Sequence, residues 1–488
     1  MAEGWQGEVG LTGAVLAVAM AVRLAVGLHP YSGMGNPPKF GDYEAQRHWM
    51  EVTVNLPAKE WYVHTERNDL GHWGLDYPPM SAYQSYAHGL LVRAFEPAAV
   101  ELGTSVGYET ESSKDLLRAT VLVSDLLIMF PAVFLALRAI YPHAGPRRRA
   151  WGLAVALLHP GFVLIDHGHF QYNCISLGLV AGAVAAIWRG RDLLGSCLYV
   201  LALNHKHMSA YYALAFFAHL LGAALRLPTW RSSATKVSAL GAAVVLTFAL
   251  AWLPFLGDRD LALAVLRRLV PIRRGVFEDY VSNFWCVTHV AIKWKKLLSD
   301  QQLAKCCALV TAAACAPSVA HQLLRPSRRG LLLAALNCSL GFYLFSFQVH
   351  EKSILLPCLP AALLSLEYPW ACLHFAIVSA FSMIPLLQKD GLELACAACV
   401  VIFISAAAAG GEVLGPRRPG REAAAAASLT AMAALSAVKA FASPPERYPY
   451  LFDLLISALA FAHFACYFVY WNVELWARHS GTAATKRD

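Results

Sequence analysis

The stretch GDYEAQRHWMEVTVNLPAKEWY, residues 41 to 62, concentrates ionisable side chains in a chain that is otherwise strongly apolar. Asp42 follows a glycine and precedes a helical pattern, which is the position of a helix N-cap. A carboxylate at a helix N-terminus stays ionised and is able to accept a proton from a hydroxyl group. The sequence therefore allows two compatible roles for Asp42, a helix cap and a general base.

The residues after Asp42 have the periodicity of an amphipathic helix from about Tyr43 to Thr53. His48 and Trp49 lie on one face of this helix, and Glu44 and Arg47 lie on the other. A helix at a membrane interface, with its Trp and His side toward the lipid, fits this pattern. We therefore expect a surface helix directly behind Asp42.

The elements that must position this segment are membrane helices. Hydrophobic residues make up 57% of the 488 residues, charged residues make up only 15%, and the mean hydropathy is +0.47. Apolar windows long enough to cross a bilayer core, which needs roughly 20 helical residues, recur along the chain. Examples are residues 11 to 28, 119 to 137, 236 to 254, 330 to 347, 392 to 409 and 449 to 471. The composition predicts an all-α polytopic membrane protein.

The net charge of +8 does not indicate a nucleic-acid partner, because the basic residues form short clusters between apolar windows. These clusters are Arg147 to Arg149, Arg189 and Arg191, Arg226 to Lys236, Arg325 to Arg329, and Arg417 to Arg421. Placing them in the cytoplasm, against membrane lipids, predicts about 14 transmembrane helices with both termini cytoplasmic. On this count, residues 284 to 324 form one crossing and one re-entrant or interfacial segment.

The polar and aromatic segments then all lie on the non-cytoplasmic side. They are residues 29 to 115, 165 to 173, 203 to 208, 266 to 285 and 347 to 353. Five separate loops on one face indicate a single site. We expect residues 1 to 488 to form one multi-pass domain, with 29 to 115 as the long catalytic loop and with 266 to 285 and 347 to 353 as further site loops.

The cysteine and histidine patterns do not predict a metal or a cofactor. The twelve cysteines are scattered, mostly inside apolar windows, as is typical of small core side chains. His167 and His169 have a spacing that a metal site allows, but no third ligand is evident nearby. We expect no metal ligands and no cofactor.

Five motifs carry a resemblance to a known family: GDYEAQRHWMEVTVNLP, WGLDYPPMSAYQS, LIDHGHFQYNCISLG, RLVPIRRGVFEDYVSNFWC and LFSFQVHEKSILLP. In this order they resemble the endoplasmic-reticulum glucosyltransferases of glycosyltransferase family 57, which use dolichyl-phosphate-glucose. The resemblance spans nearly the whole chain. It implies a fold of the glycosyltransferase C class, with lumenal loops and interfacial helices, in the endoplasmic-reticulum membrane, and an active site that faces the lumen.

The resemblance also implies the reaction. Glucose would pass, with inversion and without a metal, from dolichyl-phosphate-glucose to the terminal mannose of Man9GlcNAc2-PP-dolichol in an α-1,3 linkage. Two alternatives stay open. One is the sister reaction that adds the second glucose, and the other, from a different class, is a polytopic lipid transporter or scramblase.

An inverting transfer needs one base and no covalent enzyme intermediate, and Asp42 is our candidate for that base. Asp76, in LDYPP, is the rival carboxylate, although bonding to backbone amides at the turn is an alternative role for it. His167, His169 and Gln171 suit sugar hydroxyls or a network between loops. Glu44 and Arg47, beside Asp42, are further substrate-binding candidates.

The leaving phosphate needs cations or hydrogen-bond donors at its oxygens. The candidates are Lys206, Arg274, His350 and Lys352, together with Glu351 in the same HEK motif. Lys206 and Lys352 have the alternative role of snorkelling anchors at helix ends, and His350 that of an interface histidine.

Overall fold

A computed structural model describes residues 2–269, 280–415 and 418–477. Throughout these ranges the chain folds into helices and loops, and they contain no β-strand. In chain order the α-helices are α1 (Ala2–Gly27), α2 (Asp42–Asn55), α3 (Pro79–Phe95), α4 (Glu111–Ser124), α5 (Phe130–Ile140), α6 (Pro146–Leu157), α7 (Pro160–Val163), α8 (Asn173–Trp188), α9 (Asp192–His205), α10 (Ala213–Leu225), α11 (Trp230–Trp252), α12 (Arg259–Leu269), α13 (Phe284–Thr288), α14 (Trp294–Leu297), α15 (Asp300–Leu324), α16 (Arg328–Phe345), α17 (Leu355–Leu363), α18 (Pro369–Ser382), α19 (Ile384–Lys389), α20 (Glu393–Ala408), α21 (Gly411–Leu414), α22 (Pro419–Phe441) and α23 (Leu451–Ala477).

Seven helices in the described ranges are long and apolar enough to cross a membrane, or eight if α6 and the bent segment after it form one span. The seven are Gly7–Gly27, Glu111–Ile140, His207–Leu225, Trp230–Phe255, Asp300–Leu324, Pro419–Phe441 and Leu451–Ala477. This architecture confirms the predicted all-α polytopic membrane protein. The count of about 14 crossings stays a prediction, because several apolar helices, such as α8 and α20, are shorter.

The core of the molecule is made of helices that are apolar on all sides. Nearly every side chain of α8 and of α16 is buried, and α17 is buried from Leu355 to Leu363. A helix that is hydrophobic all round belongs in an interior, because no face of it prefers water. The longer α11 and α22 lie at the periphery and expose most of their side chains.

The segment 284 to 324 contains only one helix long enough to cross, as predicted. The chain forms the short α13 and α14 and then the 25-residue α15. Ser299 caps α15: its side chain accepts a hydrogen bond from the backbone N–H of Gln302, and the Gln302 side-chain oxygen accepts one from the backbone N–H of Ser299. One helix of this length is what the predicted parity requires, and the parity itself stays a prediction.

Two wide helical turns of the π type interrupt the core helices. One, Asp125–Met129, joins α4 to α5, and the other, Leu164–Phe170, continues α7. Such turns occur frequently at functional sites, because the extra residue per turn redirects side chains. The second turn carries Asp166, His167 and His169, all of them buried.

The helix behind Asp42 differs from the prediction in two respects. Gly41 is the N-cap, and Asp42 is the first residue of α2. The helix is also not at the surface, since every side chain from Tyr43 to Thr53 is buried. The physical reason is that the chain around Ala99 and Ser105 folds back over the charged face and receives hydrogen bonds from Arg47.

Candidate active site

The Asp42 carboxylate lies at the meeting point of three distant segments. Its Oδ2 atom is 2.9 Å from Nε2 of His169 and 2.5 Å from Nζ of Lys352, and it accepts a hydrogen bond from the Gln171 amide. Among the described residues, every hydrogen bond to this carboxylate ends on Oδ2. Oδ1 accepts no hydrogen bond from the described residues.

The loop before α2 sets the position of Asp42 through two glycines. Gly41 has a φ of 149°, and a Cβ at Gly41 would lie 2.6 Å from the Ser32 carbonyl oxygen. Gly33, with a φ of 78°, passes so close to Phe40 that a Cβ would overlap its carbonyl oxygen. Only glycine allows these approaches. The irregular sequence before Asp42 therefore brings the first turn of α2 against the His169 segment.

The polar groups behind Gln171 form a buried network. The Lys206 ammonium donates to the side-chain oxygens of Asn173, at 2.6 Å, and of Gln171, at 3.2 Å. Asn173 in turn donates to Asp166, at 2.7 Å. Lys206 also lies 5.0 Å above the centre of the Tyr77 ring. The network holds the Gln171 amide against Asp42.

A cavity of about 460 Å³ opens in front of Asp42. Part of its wall is polar or aromatic and part is aliphatic. The polar and aromatic wall includes Asp42, Gln46, Trp49, Trp73, Asp76, Tyr77, Gln171, Asn173, Lys206, His207, Arg268, His350 and Lys352. The aliphatic wall includes Leu177, Met208, Leu269, Leu355 and Leu356. The polar wall therefore suits the head group of an amphipathic ligand, and the aliphatic wall suits its apolar chain.

Cationic side chains from three segments face this cavity, which is what an anionic ligand requires. Lys206, Arg268 and Lys352 line it, and His350 lies beside Lys352 in its wall. Arg268 is also held to the Asp76 loop, because its guanidinium donates to the carbonyl oxygens of Gly74 and Leu75, at 2.5 and 3.1 Å. The predicted Arg274 lies outside the described residues.

Glu44 and Arg47 lie away from this cavity. They belong to an internal ion cluster in which Arg47 contacts Glu44 and Glu51 at 2.7 and 2.8 Å. All three side chains are almost fully buried. Arg47 also donates to Ala99 and Ser105. This placement gives the two residues a structural task, the attachment of the following loop to α2, in place of the substrate contact expected from the sequence.

His167 likewise points away from the cavity. Its Nε2 atom is 2.7 Å from Oδ2 of Asp125, which also receives the Arg23 guanidinium at 2.5 Å. Arg23 further donates to the Leu157 carbonyl oxygen. Of the two histidines, only His169 contacts Asp42.

The two remaining carboxylate candidates differ in position. Asp76 is part of the cavity wall, whereas Glu351 is buried next to that wall.

Opposing effects determine the charge of Asp42. Burial alone would raise the pKa of its carboxyl group, but the charges of Lys352 and His169 and their hydrogen bonds hold that pKa well below its ordinary value. The carboxylate is therefore ionised at neutral pH. Asp42 is also one of the partly open groups of the cluster, with 21% of its side chain exposed.

Sequence reasoning missed Asp390 and Arg268. Asp390 contacts Nδ1 of His169 at 2.5 Å from a turn far along the chain, between α19 and α20. A weak signal existed, because Asp390-Gly391 is an acidic turn directly before an apolar helix.

Within the described ranges, no three His, Cys, Asp or Glu side chains are grouped as metal ligands.

Fold and site together define a polytopic membrane protein with an ionised carboxylate and several cations around one cavity. The chain belongs to the family described as the ALG6, ALG8 glycosyltransferase family, whose sequence profile matches residues 19–470. The resemblance inferred from the five motifs is thereby confirmed.

Curated relatives are similar over almost the whole length. The probable dolichyl pyrophosphate Man9GlcNAc2 alpha-1,3-glucosyltransferase of Arabidopsis thaliana is 43% identical, covering 99% of this chain and 93% of that protein. The dolichyl pyrophosphate Man9GlcNAc2 alpha-1,3-glucosyltransferase of Gallus gallus is 42% identical, covering 93% and 94%. Among solved structures, apo ArnT from Cupriavidus metallidurans aligns with 96% of this chain and 78% of its own, at 14% identity and a TM-score of 0.41.

Proposed function

We propose that this protein is an inverting α-1,3-glucosyltransferase. It moves glucose from dolichyl-phosphate-glucose to the terminal mannose of Man9GlcNAc2-PP-dolichol, in the endoplasmic-reticulum membrane, with the site facing the lumen. The names and the extensive identity of the relatives support the acceptor and the linkage. The observation that carries the proposal is the Asp42 carboxylate, whose Oδ2 is fixed by His169, Gln171 and Lys352 beside a cavity lined with cations.

In the transfer, Asp42 is the general base. Its Oδ1 atom accepts the proton of the mannose 3-hydroxyl as the hydroxyl oxygen bonds to C1 of glucose. The bond between C1 and the phosphate oxygen breaks on the opposite side, and its electron pair leaves with dolichyl phosphate. One in-line displacement inverts the β-linked donor into an α-linked product. The three donors on Oδ2 hold the base in the orientation that this displacement needs.

The leaving group is already stable as a phosphate, so it needs charge stabilisation and no general acid. Lys206, Lys352 and His350 lie in two separate segments of the cavity wall and supply positive charge or hydrogen-bond donors there. Arg268 adds a further cation, and Arg274 remains a sequence-based candidate. Leu355 and Leu356, next to the HEK segment, offer apolar contact to the first isoprene units of the donor.

The experiment that tests the function uses the purified protein in lipid nanodiscs, labelled dolichyl-phosphate-glucose and the nine-mannose lipid-linked glycan. We expect the label to appear in the glycan, and chelators to leave the rate unchanged. Movement of lipid without glucose transfer would instead support a scramblase. Inactivation by a chelator, reversed by one divalent ion, would contradict a metal-free transfer.

The base is tested by the matched pair Asp42→Asn and Asp76→Asn. Asp42→Asn should still bind the donor but lose about 10² to 10⁴-fold in turnover, the usual cost of removing a general base. Asp76→Asn also neutralises a cavity carboxylate and should retain much more activity. The reverse order of the two losses would assign the base to Asp76.

A further inference from the structure

Asp390 is a buried carboxylate for which the transfer described above has no use. Only 5% of its side chain is exposed, and its Oδ2 atom lies 2.5 Å from Nδ1 of His169. The other nitrogen of the same ring, Nε2, lies 2.9 Å from Oδ2 of Asp42. The His169 ring therefore bridges the proposed base and a second carboxylate. A buried carboxylate is costly unless it is paired, and the His169 ring is its partner here.

The two carboxylates of the bridge favour one protonation state of the ring. An ionised carboxylate only accepts hydrogen bonds. An imidazolium, with hydrogen on both Nδ1 and Nε2, therefore satisfies both carboxylates at once, whereas a ring protonated on Nδ1 alone would accept at Nε2 from the Lys352 ammonium, 3.1 Å away. Either neutral tautomer would direct a nitrogen lone pair at one of the carboxylates.

The other charged groups around His169 disfavour that imidazolium. The Lys352 ammonium, from the turn before α17, lies 3.1 Å from Nε2. The Arg118 guanidinium, from α4, donates to the neighbouring carbonyl oxygen of Gly168 at 2.8 Å. Without Asp390 the ring would face the Lys352 ammonium and the single carboxylate of Asp42. Asp390 therefore supplies the negative charge that keeps the ring protonated.

We propose that Asp390 is a positioning residue for glucosyl transfer, which keeps His169 doubly protonated so that the ring holds Oδ2 of Asp42 and turns Oδ1 toward the acceptor. The inference rests on the proposed function, in which Asp42 is the base. Asp390 touches no substrate in this scheme. The acceptor proton goes to Oδ1 of Asp42, and His169 and Asp390 neither gain nor lose a proton during the transfer.

The test compares the pH dependence of kcat in the wild type and in Asp390→Asn, at saturating donor and acceptor. The wild type should give a flat profile between pH 6 and 7.5. In Asp390→Asn the pKa of His169 should fall, because burial and the Lys352 charge are then opposed by Asp42 alone, so that kcat falls on the order of tenfold as the pH rises from 6 to 7.5. The KM for the donor should change little.

Two comparisons separate this role from a structural one. Asp390→Glu keeps the negative charge and should restore the flat profile. Glu393→Gln removes an exposed carboxylate close by in the sequence, and it should behave like the wild type. A profile of Asp390→Asn that is lower but parallel to the wild type would overturn the inference.

A double-mutant cycle gives a second, independent test. His169→Gln offers Asp42 an amide donor that does not titrate, so its profile should be flat, and adding Asp390→Asn should then cost nothing further. An equal loss from Asp390→Asn with and without His169 would contradict the coupling. Absence of glucose transfer in the wild type would contradict the proposed function instead, so the two failures are distinguishable.

Discussion

At the scale of single residues, the two oxygens of Asp42 have different surroundings, and the proposed transfer gives them different tasks. Oδ2 is held by His169, Gln171 and Lys352 from separate parts of the chain. Oδ1 receives no hydrogen bond from a described residue, and in the proposed transfer it accepts the proton of the acceptor hydroxyl. Strong donors on Oδ2 lower the basicity of the whole carboxylate. If Asp42 is the base, as proposed, these donors orient it and keep it ionised, at the cost of some of the driving force for proton abstraction.

The first prediction concerns the charge that Lys352 places on Asp42. Burial raises the pKa of Asp42, and Lys352 is the leading opposing charge that keeps this pKa well below its ordinary value. Lys352→Gln should therefore raise the pKa of Asp42, and the acid limb of the kcat profile should move to higher pH, by about one unit or more. The measurement is kcat against pH from 4 to 8 at saturating donor.

The control for this prediction is Lys39→Gln, which removes an exposed cation from the loop that leads into α2. It should leave the acid limb where the wild type has it. An unchanged acid limb in Lys352→Gln, at whatever rate, would mean that Lys352 does not influence the ionisation of Asp42.

The candidate site was predictable residue by residue only in part. Asp42, Gln171, Lys206, His350 and Lys352 line one cavity, and the sequence led us to expect them together because the arginine clusters predict that their loops lie on one side of the membrane. The contact of His169 with Asp390 was not predictable, since no local pattern relates a histidine in a core helix to a turn so far along the chain.

At the scale of elements, α2 depends on a buried ion cluster. Arg47 lies between Glu44 and Glu51, and the chain around Ala99 and Ser105 closes over them. Burial raises the pKa of Glu51, but the His48 hydrogen bond, the Arg47 charge and the Gly103 N–H lower it to about 2. Ionised Glu51 therefore stabilises the fold above its ordinary pKa of about 4.3, and this contribution is lost as the pH falls toward 2.

The second prediction follows from this cluster. Arg47→Met leaves two buried carboxylates without their cation, and it should lower the free energy of unfolding by about 3–5 kcal/mol. Thermal unfolding of the protein in detergent, followed by tryptophan fluorescence, measures the effect. Glu60 and Arg67 form a matched pair in which 57% of the arginine side chain is exposed, so Arg67→Met should cost no more than about 1 kcal/mol. Equal losses in the two variants would show that the cluster around Arg47 is not structural.

The helix itself was predictable from its period, whereas its surroundings were not. The sequence placed Glu44 and Arg47 on one face, and the structure agrees with that arrangement. The prediction that this face is at the surface was wrong, because the loop around Ala99 and Ser105 packs over it. The periodicity of a helix shows which residues share a face, but it does not show which other segment packs on that face. Apolar windows such as 236 to 254 are more predictable, since length and hydropathy alone decide whether they cross a bilayer.

At the scale of the whole molecule, the cavity lies where loop residues meet the ends of core helices. Asp42 and Tyr77 come from the segment between α1 and α4, whereas Leu355 and Leu356 begin α17. A lipid-linked sugar needs both kinds of surface at once, a polar one for its head group and an apolar one for its chain. The folding of a long loop onto the helix bundle supplies this combination in a single site.

The last prediction concerns which acceptor the cavity accepts. Both steps of α-1,3 glucosylation present an equatorial 3-hydroxyl to the base, but the terminal mannose carries an axial 2-hydroxyl, whereas a terminal glucose carries an equatorial one. A desolvated site that pairs its polar groups with one arrangement leaves them unpaired with the other, which typically discriminates by about 100-fold or more. We therefore expect the protein to glucosylate the nine-mannose glycan and to leave the singly glucosylated glycan almost unchanged. Offering both lipid-linked acceptors with the same donor, and a reaction without acceptor to subtract donor hydrolysis, measures the ratio of kcat/KM directly. Faster conversion of the singly glucosylated glycan would assign this chain to the second glucosylation step.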